Sequence, residues 1–132
     1  MRYLGIDYGE KRIGLALSDK DGKIAFPYAT IAARGRKDTR IFPALRVIID
    51  REKISAIILG LPRAADGRDT KQTAAVRGFA EKLKKSFSLP VEYENEILTT
   101  RMAAKVGIPK EERDAAAAAI ILQSYLDRTN MK

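Results

Sequence analysis

The chain has 132 residues with no cysteine and no histidine, so it is long enough to bury a core without staples. It cannot build a thiol nucleophile, a thiolate zinc site, an imidazole base or a Ser-His triad. Any chemistry rests on carboxylates, hydroxyls, lysines or a borrowed metal ion, and a formal net charge of +8 favours a polyanionic partner, although surplus lysine also serves solubility.

No apolar run approaches the length of a membrane span, and the N-terminus enters a strand directly, so a soluble cytoplasmic protein with no membrane partner is expected. Residues 3–18 read as a β-hairpin: a short apolar run at 3–6, a reversal at Gly9, then Ile13, Leu15 and Leu17 alternating with Gly14, Ala16 and Ser18. Asp7 falls where the first strand ends. There it either closes its own turn or holds a metal ion. Asp19-Lys20-Asp21-Gly22 has turn chemistry, and 23–31 returns as a third strand. Pro27 cannot donate to a ladder, which places that strand at a sheet edge or breaks it.

A basic connection at 34–40 leads into a helix on which Ile41, Leu45, Ile48 and Ile49 keep helical spacing, with Pro43 in the first turn. Arg40, Arg51 and Lys53 lie opposite, as a basic surface or a merely solvated face. The unbroken apolar run 54–59 suits a central strand buried on both sides. The loop 61–69 carries Arg63 and Arg68 and delivers the chain to a helix cap at Asp69 or Thr70. On the next helix Val76, Phe79, Ala80, Leu83 and Phe87 form the buried stripe, with Lys71, Lys82, Lys84 and Lys85 off it. Leu89-Pro90 stops it. The last strand, 91–94, alternates Val91 and Tyr93 with Glu92 and Glu94, as a half-exposed edge would.

Glu96 stands just past that strand. A short helical piece at 100–106 precedes Gly107 and Pro109, and a final helix spans 110–128 with an apolar middle at 115–122. Counting from Asp114 by helical steps gives Ala117, Ala118, Ile121, Leu122 and Tyr125, so Asp114 heads the inward stripe. It serves either the helix dipole or a site. Right-handed crossovers make the later strands parallel to the first, and open sheets of this kind hold ligands outside their carboxyl ends. Asp7 and Glu96 are there, and Asp114 reaches the same edge if the last helix crosses the sheet with its N-terminus upward. Three converging carboxylates repel unless cations intervene, and two Mg²⁺ or Mn²⁺ ions roughly 3.5 to 4 Å apart are the usual remedy, suited to in-line displacement at a phosphodiester. Lys11 and Arg12 at the hairpin, with Arg63 and Arg68 beyond Gly60, are the expected nucleic-acid-binding surface.

Gly5-Ile6-Asp7-Tyr8-Gly9 with Lys11-Arg12-Ile13-Gly14-Leu15-Ala16 and Ser18-Asp19, Gly60-Leu61-Pro62 with Asp66-Gly67, Glu96 with Leu98-Thr99-Thr100, and Asp114-Ala115 with Ile121-Leu122-Gln123-Ser124-Tyr125-Leu126 together resemble the YqgF family. Its members are described as Holliday junction resolvases and as nucleases maturing pre-16S ribosomal RNA. The resemblance implies one ribonuclease-H-like nuclease domain over 1–132, with a five-stranded mixed sheet and helices on both faces. It also implies that Asp7, Glu96 and Asp114 occupy the family's acidic metal-site positions. Two departures stand out. Asn95 and Ile97 flank Glu96 where the family usually carries Asp and Arg, which removes an acid from the metal shell and a phosphate clamp, and the segment 101–113 is shorter than the family's. Three functions compete: a metal-dependent endonuclease on structured nucleic acid, pre-16S ribosomal RNA before branched DNA; a nucleic-acid-binding protein with a degenerate site; and an actin-like phosphotransferase, for which the chain lacks a second domain.

Overall fold

Alternating and unbroken apolar runs become strands and the 3.6-period segments become helices, in the order β1 (Tyr3–Tyr8), β2 (Arg12–Ser18), β3 (Ala25–Ala32), α1 (Ile41–Glu52), β4 (Ala56–Leu61), α2 (Lys71–Phe87), β5 (Val91–Asn95) and α3 (Arg113–Asn130). The computed structural model describes residues 1–32, 40–95, 107, 109 and 112–130; the piece expected at 100–106 lies outside them. The strands form one five-stranded sheet in the order β3-β2-β1-β4-β5. β1, β2 and β3 are antiparallel neighbours, whereas β1, β4 and β5 run parallel.

Pro27 sits in β3 at the sheet edge, beside a register shift between Leu15 and Ala16 on the neighbouring strand, as its missing N–H requires. β4 is buried along its whole length, in the interior between β1 and β5, while β1 takes the middle place. The turn into β3 is closed by Asp19, whose Oδ1 accepts from the backbone N–H groups of Lys23 (2.8 Å) and Ile24 (3.0 Å). The Ile24 and Lys23 N–H donors hold that carboxyl below the usual range. Thr70, one of the two expected caps, starts α2: its side chain accepts from the Thr73 N–H, and its own N–H donates to Thr73 Oγ1 at 2.9 Å.

Period-two alternation splits the sheet into two unlike faces. On one, Leu4, Ile6, Ile13, Leu15, Ile57 and Leu59 pack under Leu45 and Ile48 of α1 and Val76 and Leu83 of α2. The other is built from smaller residues and, among the described residues, is covered by α3, through Ala118, Ile121, Leu122 and Leu126 over Ala16 and Ile58. The stripe expected from Asp114, Ala117 through Tyr125, is buried throughout.

β5 is the half-exposed edge strand expected of it, with Glu92 and Asn95 exposed, and only Glu94 among its acids is buried. Glu94 faces α3 and is 9% exposed, accepting from Ser124 Oγ (2.8 Å) and Arg128 Nη2 (2.6 Å). The Tyr125 hydroxyl donates to Glu92, and burial followed by that bond pushes the phenol pKa up. A paired carboxylate tolerates burial that an unpaired one does not, so Glu94 is held under α3 by its partners while the exposed Glu92 meets the Tyr125 hydroxyl at the sheet edge.

The fit of α3 depends on Gly14. A Cβ there would lie 1.9 Å from the Asp114 carbonyl oxygen and 2.9 Å from the Ala115 nitrogen, clashes that only a backbone shift relieves. Gly14→Ala should therefore cost at least the 1–3 kcal/mol, roughly, of an overpacked core. Urea unfolding checks this, and a variant as stable as the parent would mean that α3 rides higher on the sheet.

Candidate active site

Parallel strands with their carboxyl ends at one edge leave the next loops, and the side chains on them, on that side of the sheet. β1 ends there with Asp7 and Tyr8, β4 with Leu61, β5 with Asn95, and α1 and α2 begin there. The hairpin bend after β1 is tight: the Gly9 N–H donates to the Arg12 carbonyl at 3.0 Å. The sequence suggests Gly9 for its freedom to reverse the chain. Its structural reason is steric, since a Cβ would stand 2.7 Å from the Arg12 oxygen.

Asp7 pairs directly across with Gly14, and directly opposed residues in an antiparallel pair share a face. Its side chain thus lies on the α3 side, next to the position where Gly14 meets the backbone of Asp114. Asp114 occupies the first turn of α3. The missing side chain of Gly14 lets the backbone at Asp114, 107 residues from Asp7 in sequence, come down beside the strand position opposite Asp7. Asp7 is half-buried and the Asp114 side chain is 24% exposed. The Asp114 carboxylate favours the helix N-terminus, and its contact with Arg12 puts it at the hairpin end of the sheet, where Asp7 also lies.

Arg12, the first residue of β2, adds a cation. Its Nε donates to Asp114 Oδ2 at 2.6 Å, a charge-assisted bond of the short kind. Lys11 is exposed on the hairpin tip. Arg63 and Arg68 lie in the β4–α2 loop beside aspartates of the same loop: Arg63 Nε is 3.4 Å from Asp69 Oδ1, and Arg68 Nε is 2.6 Å from Asp66 Oδ2. Asp69 is shared with Arg77 at 3.7 Å. Glu96 lies outside the described residues, and among the described residues no three acidic groups gather as a metal cluster.

A groove of about 1030 Å³, not foreseen from the sequence, lies on the other side of the hairpin, lined by Tyr8, Lys11, Lys71, Ala75, Gly78 and Lys82 among others. One signal for it is present in the residues. Positions 71, 75, 78 and 82 are spaced as one helical face, two lysines with two small residues between them.

The Arg12–Asp114 pair is partly exposed on both sides, and such pairs contribute little to folding. Arg12→Ala should change unfolding free energy by no more than about 1 kcal/mol. A larger loss in a denaturant titration would mean that the pair, and not the apolar packing below it, seats the start of α3.

The chain matches the RuvX family, described as Holliday junction resolvase, over residues 1–128. It is 42% identical over 135 residues to a protein of Nitratidesulfovibrio vulgaris (96% of this chain, 94% of that protein) and 40% identical over 136 residues to one of Maridesulfovibrio salexigens (97% and 99%). Both carry the provisional name pre-16S rRNA nuclease. Among solved structures, Thermus thermophilus RuvC in complex with Holliday junction substrate aligns with TM-score 0.61 at 17% identity over 98% of this chain and 96% of that one. The fowlpox virus Holliday junction resolvase aligns with TM-score 0.61 at 14% identity over 98% and 99%. At these identities the likeness is one of fold, the ribonuclease-H-like fold expected from the sequence. The chain therefore belongs to the RuvX (YqgF) family of nucleases.

Proposed function

We propose that this chain is a metal-dependent endonuclease that hydrolyses phosphodiester bonds of structured nucleic acid in the cytoplasm, processing the 5′ end of pre-16S ribosomal RNA, with 1–132 acting as one nuclease domain. What supports this reading is that Asp7 lies opposite the bare Gly14, over which the backbone at Asp114 lies, at the carboxyl edge of the parallel strands. Glu96, one residue beyond the end of β5 in sequence, is the proposed third acid.

The donor set fits a hard divalent cation. All candidate ligands are carboxylate oxygens, one half-buried and one partly exposed, and oxygen-only ligation suits Mg²⁺ or Mn²⁺. Bound there, a pair of such ions would supply neutralisation of the acids and a water of lowered pKa for in-line attack. The protein's own groups do the rest. Asp7 and Asp114 fix the direction of attack relative to the sheet edge. Arg12 holds Asp114 through Nε, and its two terminal nitrogens are suited to a phosphate oxygen, because a guanidinium presents donors on two sides. Lys11, Arg63 and Arg68 steady the flanking backbone. The loop aspartates beside Arg63 and Arg68 dilute their charge, so Lys11 and Arg12 should carry more of the grip than those two arginines.

The same edge would serve a four-way DNA junction, which is the second reading. Both relatives and fold neighbours bear on it, since the former carry the RNA name and the latter include a complex with junction substrate. Incubating the protein with pre-16S RNA and with a four-way junction, under magnesium or manganese, separates the two.

Asp7→Asn keeps the shape of the side chain and removes the charge a hard cation needs. It should abolish cleavage while leaving RNA affinity and Tm nearly unchanged, since basic groups and not acids hold phosphates. Glu96→Gln and Asp114→Asn should behave alike and combine non-additively with it, as members of one unit do. Normal cleavage by Asp7→Asn at saturating magnesium contradicts the reading; unfolding would show that Asp7 only closes its turn.

A further inference from the structure

We propose that the groove along α2 is the path of a single nucleic-acid strand leaving the acidic edge, its phosphodiester backbone held by Lys11, Lys71 and Lys82. The inference rests on the nuclease reading above and adds to it a second, separate binding surface on the opposite side of the hairpin.

Placement comes first. Tyr8 follows Asp7 in the chain and lines the groove from the other face of the sheet, and Gln72 Nε2 ties the Tyr8 carbonyl to the first turn of α2 at 2.9 Å. A strand leaving the acids would reach the groove by crossing the hairpin tip at Lys11, which lines it. The wall is firm there, because the Tyr8 ring stacks on Phe79 with centroids 4.2 Å apart and planes 19° from parallel.

Charge points the same way. Arg12, Arg63, Arg68 and Arg77 each have an aspartate partner, whereas the three exposed groove lysines make no ion pair with another described residue. Glu10 is the one acid on the lining among the described residues. Lys71 and Lys82 lie eleven residues apart on one helical face, about 16 Å along the axis, with Ala75 and Gly78 between them.

Gly78 is the residue the fold does not explain. It lies inside a seventeen-residue helix, where glycine is the poorest choice after proline. Among the described residues nothing in the packing demands it, since a Cβ there would meet no atom of theirs within 4 Å. Its position on the groove floor gives it a use: a bare helix surface lets a ligand backbone approach closely between two cations. A protein concerned only with stability would carry alanine.

The test is binding measured in EDTA, with cleavage off, by fluorescence anisotropy of a labelled single-stranded RNA and of a four-way DNA junction over a salt series. Lys71→Ala with Lys82→Ala should weaken RNA binding and flatten the log-log salt dependence by about 1.4, at about 0.7 for each single-strand phosphate that is no longer neutralised. Gly78→Gln should raise Tm and weaken binding together. An equal weakening on the junction assigns the groove to the backbone chemistry shared by both; weakening on RNA alone assigns it to an RNA strand. An unchanged salt slope in the lysine pair, or wild-type affinity in a stabilised Gly78→Gln, overturns the proposal. Because cleavage is not read, these outcomes are independent of Asp7→Asn: a normal groove result with active Asp7→Asn would fault the nuclease chemistry alone.

Discussion

The closeness of α3 to the middle of the sheet is the constraint on which the rest depends. Where β1 and β2 pair through Asp7 and Gly14, the helix backbone comes so near that a single methyl at 14 would stand 1.9 Å from the Asp114 carbonyl oxygen. That approach sets the depth of the small-residue core beneath α3, and depth in turn decides whether a carboxylate on the helix and one on the central strand can share a ligand. The opposite face, filled by Ile, Leu and Phe side chains under α1 and α2, holds its helices at the greater distance that large side chains impose. One sheet thus carries a bulk core on one face and a close approach on the other, and the candidate site lies on the close side.

Acids and arginines are matched around the carboxyl edge, with Arg12 on Asp114, Arg68 on Asp66 and Arg63 with Arg77 on Asp69. At the far side of α3 Glu94 is matched by Arg128 at 2.6 Å, which fastens the helix to the last strand. Three lysines without an ion-pair partner among the described residues line the groove across the hairpin. Paired arginines set geometry, while lysines away from acids offer the counterion release that drives association with phosphate chains.

Much of this is legible in the residues, for reasons that can be named. Pro27 marks the edge strand because it lacks a donor, and the apolar run ending at Leu61 marks an interior strand because both its faces must be covered. Asp7, at the end of a strand before a reversal, and Asp114, at the head of an inward stripe, are visible as candidates from periodicity alone. Other features are not. The alternation in β5 shows a half-exposed edge but not that Glu94 is buried, because it reports which residues share a face and not what covers it; the partners of Glu92 and Glu94, Tyr125 and Arg128, lie on α3, over thirty residues away. Gly14 looks like a small residue in an alternating strand, and its role exists only in the docked structure. The same holds for Arg12, whose carboxylate partner is 102 residues distant.

Diffraction from crystals soaked in manganese, recorded where the ion scatters anomalously, tests the central claim most directly. The account predicts an ion bound by carboxylate oxygens of both Asp7 and Asp114 at about 2.0–2.2 Å, the range of small hard cations with oxygen ligands. Manganese bound only elsewhere, with Arg12 still seated on Asp114 and Asp7 without a metal contact, would contradict it.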